Sequence, residues 1–331
     1  MSAHGGAERS SECALIARYF APLAGQGAHR LADDAASLTP SPGHDLVLTA
    51  DAIVAGVHYL PDDPPASVAR KALGVNLSDL AAKGATPRGF LLTLALPDDW
   101  TEDWLGGFAQ GLGEAIATFG CPLLGGDTVR AAGPMLVGVT ALGEVPAGTM
   151  VPRMAAQVGD RLCVSGSIGD GALGLRVLQG PAPSLAPEQR AFLIDRYRHP
   201  RPRLALAPVL RRHARAAMDV SDGLAGDLAK MLAGGGRSAR VSVADVPLSV
   251  AARGAVAAEP GLIDTILTGG DDYEILCAVP PEALDAALAE ARAAGVPLSV
   301  IGSVTTGEDA PAFRMTDGTE RRFAAGSFSH F

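Results

Sequence analysis

Eight aspartates carry most of the chemistry this chain could do. Asp34 lies in ADDAA, Asp51 in LTAD, Asp79 in NLSDL, Asp127 in GGDT, Asp219 and Asp222 in MDVSDG, and Asp271 and Asp272 in GGDDYE. The pattern predicts them at strand ends, where a carboxylate suits a core badly and a hard cation well. Several cations imply a substrate with a large negative charge, which points to phosphate chemistry. Mg²⁺ takes one or two carboxylates with waters and phosphate oxygens. A larger converging set would repel a nucleotide unless several cations lay between. Taken singly, each aspartate serves equally well as a helix cap or a solvated charge, and Ser78-Asp79 and Ser221-Asp222 both stand where a cap is expected. The set as a whole favours metal.

GGDT and GGDD place backbone N–H groups beside an acid, with no Cβ to block a phosphate; a tight turn has the same composition. A Walker A loop is missing, as are the V-A-I-K and H-R-D segments of protein kinases. Gly169 to Gly174 matches G-x-G-x-x-G, but a proline-rich loop, QGPAPSLAPEQR, follows where a dinucleotide site needs a second strand ending in an acid. His58, in AGVHY after LTAD, could meet an anion, although a lone His is more often structural. Arg153 could reach nucleotide phosphates, against a default of solvation.

The elements that must position these residues follow an α/β rhythm. A helix is predicted over 11–24, a strand over 45–51, a helix from Pro64-Pro65 to about 83, a strand over 89–96, and a helix over 102–119 capped by Thr101. Strands near 121–125 and 134–144 complete a first half. EVPAGTMVPRMAAQVGD reads as a crossing into a second domain. There the pattern predicts strands at 161–165, before MDVSDG, near 240–245, at 273–279 and at 297–303. Helices fall at 171–179, 187–197, 203–214, from 222, and at 281–294. Ser-Asp and Gly-Gly-Asp recur in the same order in both halves, as an old duplication or as chance in an Asp- and Gly-rich chain.

At 331 residues, two domains are the better expectation. The net charge of −9 argues against non-specific nucleic-acid binding. No apolar run approaches the roughly 18 residues of a membrane span, and the N-terminus has no signal-peptide core. The four cysteines are widely separated, which suits reduced thiols and a cytoplasmic location.

Taken in order, ADDAA, LTADAIVAGVHY, KALGVNLSDLAAKGATP, GGDT, MDVSDGLAGDL and GGDDYE resemble the thiamine-monophosphate kinase family. That family falls in the superfamily of aminoimidazole ribonucleotide synthetase, selenophosphate synthetase and HypE. The resemblance runs from about 16 to 331. It implies an α/β fold of mixed sheets in two domains, like aminoimidazole ribonucleotide synthetase. Residues 1–147 would bind metal and ATP and pair their sheet across a homodimer; residues 148–331 would complete the nucleotide and substrate sites. It further implies transfer from ATP to thiamine monophosphate, with several Mg²⁺ ions and no general base. The carried-over metal ligands are Asp34, Asp51, Asp79, Asp127, Asp219 and Asp222, assisted by Thr49 and Ala50. ATP would meet Gly126, Asp127, Arg153 and Ser221, and thiamine monophosphate would meet His58, Asp271 and Phe328. Three residues depart from the family pattern. Ala50 replaces a common Thr or Ser, so any contact there comes from the backbone. Ala32 replaces a Gly, and Asp271 stands where Glu is common.

Overall fold

A computed structural model describes residues 11–180 and 183–323. The chain forms two compact units: residues 1–40, 50–73 and 87–142, and residues 41–49, 74–86 and 143–331.

Ser11 caps the first helix, accepting a bond from the Ala14 N–H, but the α-helical part, α1, covers only Glu12–Leu15. The chain continues as a π-helix over Ile16–Phe20 and a 3₁₀ turn over Ala21–Leu23, so the single predicted helix is three short pieces. A four-stranded sheet has the order β1-β4-β2-β3, with β1 His44–Val54, β2 Thr86–Leu96, β3 Leu123–Arg130 and β4 Leu136–Pro146. Two helices, α2 (Pro65–Ala82) and α3 (Glu102–Phe119), lie between these strands in sequence. Thr101 caps α3 through the Trp104 N–H, and Gly120 ends it in the left-handed conformation that a non-glycine residue adopts only with strain. The two helices approach closely at Gly111, where a Cβ would stand 2.3 Å from Ala66 Cα.

The second sheet has seven strands in the order β11-β10-β7-β9-β5-β8-β6. These are β5 Arg161–Ser165, β6 Ala216–Val220, β7 Arg237–Ser242, β8 Glu274–Val279, β9 Leu298–Thr306, β10 Ala312–Arg314 and β11 Glu320–Arg321. Among the described residues of this sheet, only β7 and β10 pair in parallel. Alternate residues feed two cores, as the pleat dictates. Leu162, Val164, Met218, Leu276 and Phe313 join one, together with residues of the helices α4 (Asp170–Gln179), α5 (Pro187–Arg198), α7 (Leu224–Leu232), α8 (Val250–Ala258) and α9 (Leu262–Thr268). Cys163, Ala217, Ile275, Cys277 and Val279 join the other, with α6 (Ala207–His213) and α10 (Leu284–Ala293). The periodicity did not announce α8 and α9, because alanine and isolated apolar residues give their short runs little contrast. The four cysteines are free thiols. Among the described residues, no helix is long and apolar enough to cross a membrane.

Candidate active site

In the first unit, Asp34 and Asp127 line one open cleft of about 710 Å³, together with Asp33, Thr93, Gly126 and Thr128. Asp34 lies in a loop and Asp127 within β3, rather than at strand ends. Gly126 pairs with Leu92, and a Cβ there would stand 1.9 Å from the Leu92 carbonyl oxygen. The strand pairing therefore demands glycine at 126 whether or not a phosphate binds. Asp51 is exposed within β1 and does not line the cleft, nor does the exposed Ala50. His58 closes a turn: its Nδ1 accepts the Val54 N–H at 3.0 Å, which leaves the proton on Nε2.

In the second unit, Asp79 occupies the last turn of α2, so it caps nothing. Its carboxylate accepts the Thr49 hydroxyl at 2.5 Å. Burial raises its pKa, against the downward pull of that hydroxyl, Lys83 and Arg153. Lys83, four residues on, donates to the Ala217 carbonyl at 2.7 Å. Burial lowers its pKa, while Asp219 and Asp79 draw it back up. Thr49, Asp79, Lys83, Arg153 and Asp219 thus form one electrostatic group. The sequence reading missed Lys83; its signal was the i, i+4 spacing from Asp79.

MDVSDG and GGDDYE are laid against each other. The Asp271 N–H donates to Ser221 O and the Tyr273 N–H to Val220 O, each at 2.8 Å. Gly270 permits this, since a Cβ there would meet the Ser221 carbonyl at 2.1 Å. Ser221-Asp222 is not a cap either. Asp227 takes the N–H groups of Ser221, Asp222 and Gly223 at 3.0, 2.9 and 3.2 Å. Burial raises the pKa of Asp227, and its first counterweight is Lys230. Lys230 bridges Asp222 and Asp227; although burial pulls its pKa down, the two acids hold it above its ordinary value.

Asp272, which no motif argument had placed, is wholly buried and accepts the N–H groups of Gly169 and Gly171 at 2.6 and 3.0 Å. The N–H groups that G-x-G-x-x-G would turn toward a pyrophosphate are taken by this side chain. Its neighbours Asp271 and Tyr273 both adopt left-handed φ, 69° and 52°. Beneath them, Glu274 is buried on Arg196 and Arg203. The recurring motifs also take different structures: Asp79 is helical and Asp222 is in a loop, while Gly126-Asp127 lies in a strand and Gly270-Asp271 in a loop. Phe328 lies outside the described residues.

The donor set is oxygen throughout, which suits a hard cation. Among the described residues no three His, Cys, Asp or Glu side chains form a metal-holding group. Magnesium does not need one, because one or two carboxylates with phosphate oxygens suffice; Asp34 and Asp127 on one cleft meet that requirement.

AIR synthase related protein, N-terminal domain, matches residues 32–145, and AIR synthase related protein, C-terminal domain, matches residues 157–312. Thiamine-monophosphate kinase of Caulobacter vibrioides is 44% identical over 303 residues, covering 90% of this chain and 85% of its own. The chain belongs to the thiamine-monophosphate kinase family. The family's Escherichia coli K12 member is 38% identical over 327 residues, covering 97% and 98% of the two chains. The crystal structure of thiamine-monophosphate kinase from Stenotrophomonas maltophilia K279a superposes with a TM-score of 0.78 at 37% identity, covering 87% and 90%. AaThiL complexed with AMPPCP and TMP gives 0.77 at 29%, covering 90% and 91%. Family membership bears out the α/β architecture expected from the motifs, and these kinases are transferases.

Proposed function

We propose that the chain transfers the terminal phosphoryl group of ATP to the phosphate of thiamine monophosphate, giving ADP and thiamine diphosphate. The observation that carries this reading is the cleft that Asp34, Gly126 and Asp127 share. Family membership and the AMPPCP- and TMP-bound relative support it.

A phosphate monoester carries about −1.5 to −2 charges near neutral pH. The acceptor oxygen is therefore largely ionised already and needs no general base. The obstacle is repulsion between two anions, so catalysis rests on charge and in-line positioning. Several Mg²⁺ ions would be held by Asp34, Asp51, Asp79, Asp127, Asp219 and Asp222, with Thr49 and the Ala50 backbone, and would supply neutralisation of phosphate charge. Arg153, Ser221 and Gly126-Asp127 hold ATP, with Lys83 adding a cation beside Asp79 and Asp219. His58, through Nε2–H, and Asp271, whose N–H is held by the Ser221 carbonyl, orient thiamine monophosphate, with Phe328 as a further contact. The acceptor oxygen bonds to the γ-phosphorus as the bond to ADP breaks, with no phospho-enzyme.

Residues 1–147 serve as the metal, ATP and dimerisation domain, and residues 148–331 complete the two sites. The enzyme works in the cytoplasm as a homodimer. Labelled ATP tests the reading: label enters thiamine diphosphate with Mg²⁺ and not with EDTA. Label recovered only as free phosphate overturns it.

A further inference from the structure

Among the described residues, the second sheet is unevenly covered. One face carries a core along most of its strands, from Val220 of β6 to Phe313 of β10. The other carries Cys163, Ala217, Ile275 and Cys277 under α6 and α10, with Leu298 and Val300 of β9 packed at its margin and no residue from β7 or β10. On that uncovered part lies a cavity of about 560 Å³.

Its lining carries three arginines against two acids. In the register across β5, β9 and β7, Arg161 and Arg240 both pair with Ser303. In the next row Arg314 of β10 pairs with Ser242 of β7. Paired residues point to one face of a sheet, so all five share the uncovered face. Arg240 and Arg314 are diagonal neighbours, close enough for like charges to repel. Arg161, Arg240 and Arg314 are exposed, and among the described residues none forms an ion pair. Glu320 stands opposite Arg314 in the β10–β11 register but pairs with Arg322, while Asp160 and Glu282 pair with Arg215. In a chain of net charge −9, three guanidinium groups around one concavity is a local inversion of sign.

We propose that this cavity is a second anion site, separate from the kinase site, for a small molecule carrying two linked phosphoryl groups. Guanidinium forks match phosphate oxygens bidentately, and Ser242 on the same lining adds a hydroxyl donor. Arg161 and Arg240 are two strand spacings apart, roughly 9.5 Å, more than one phosphate spans and suited to a diphosphate. The volume falls in the range of roughly 300–1,000 Å³ typical of small-molecule pockets. Asp245 and Glu320, on the same lining, weaken but do not cancel the three guanidinium charges, and they suit hydroxyl or ammonium groups on the organic part of the ligand. A purely solvated arginine face is the competing reading.

Calorimetric titration with inorganic diphosphate, on the full chain in EDTA at fixed ionic strength, separates the two. The expected result is that R240S/R314S loses one equivalent of diphosphate, or binds it at least tenfold more weakly, while kinase turnover and thermal unfolding match the parent chain. The single variant R314S, at an exposed strand end, weakens binding part-way and serves if the double variant folds poorly. Unchanged stoichiometry and affinity in both variants overturns the proposal, as does equal displacement of diphosphate by chloride. The kinase reading is untouched by either outcome.

Discussion

The carboxylate of Asp272 is out of water, yet it accepts two backbone N–H groups from the start of α4. Burial raises its pKa well above the usual carboxylate range. Asp272→Ala would leave both N–H groups unpaired in a dry site, at about 1–3 kcal/mol each. Urea unfolding should show the loss, and a variant as stable as the parent would remove Asp272 from this role. Asp170, buried nearby and bonded by Ser167 and by Ser249 at 2.5 Å, gives a pH signature. Burial raises its folded-state pKa. Below the usual carboxylate range both states are protonated, and its contribution is fully present. As pH climbs from about 4 through the raised value, the unfolded chain ionises first and stability falls. Asp170→Asn removes that fall, so its stability relative to the parent should improve between pH 4 and 7; a difference constant with pH would sink the argument. At the proposed reaction centre, Asp127→Asn should lower turnover at least about 100-fold with unfolding unchanged, and near-normal turnover would contradict the metal role.

The N-terminus of α7 shows what the sequence could reveal at the level of an element. The position of the helix was readable from apolar spacing, and Ser221-Asp222 looked like its cap. The N-cap is instead Gly223, with no side-chain cap, and Asp227, three residues inside the helix, reaches back to the N–H groups of Ser221, Asp222 and Gly223. Local pattern cannot show this, because the choice between two acids depends on where the loop folds. Asp227→Ala should therefore destabilise the chain by about 3 kcal/mol, since three donors and the Lys230 charge lose a buried partner. An unfolding midpoint close to the parent's would show that Asp222 takes over. The motif glycines teach a related lesson. GGDT and GGDD read as phosphate cradles, but Gly126 and Gly270 are first required by the Leu92 and Ser221 carbonyls. Motif composition records both demands and cannot separate them.

At the scale of the whole molecule, the α/β class, most strands and the acidic motifs were legible because each rests on local period or composition. The partners of those acids were less so: Asp272 meets Gly169 and Gly171, and Lys83 meets Ala217, only when distant segments come together, while Asp227 depends on how its own loop folds. The proposed homodimer has a physical basis of the same non-local kind. β1 is an edge of the four-stranded sheet, 11 residues long, and exposes Leu46 at 37% and Leu48 at 61%. A long apolar edge offers unpaired N–H and C=O groups to another strand, and native proteins usually blunt or cover such an edge. Sheet pairing between two copies would cover it. Sedimentation equilibrium should give twice the chain mass of 33.6 kDa. Leu48→Glu places a charge in the paired edge and should bring the mass down to that of one chain without loss of secondary structure by circular dichroism. A parent chain that sediments as a monomer, or a variant that stays dimeric, would place the contact elsewhere or abolish it.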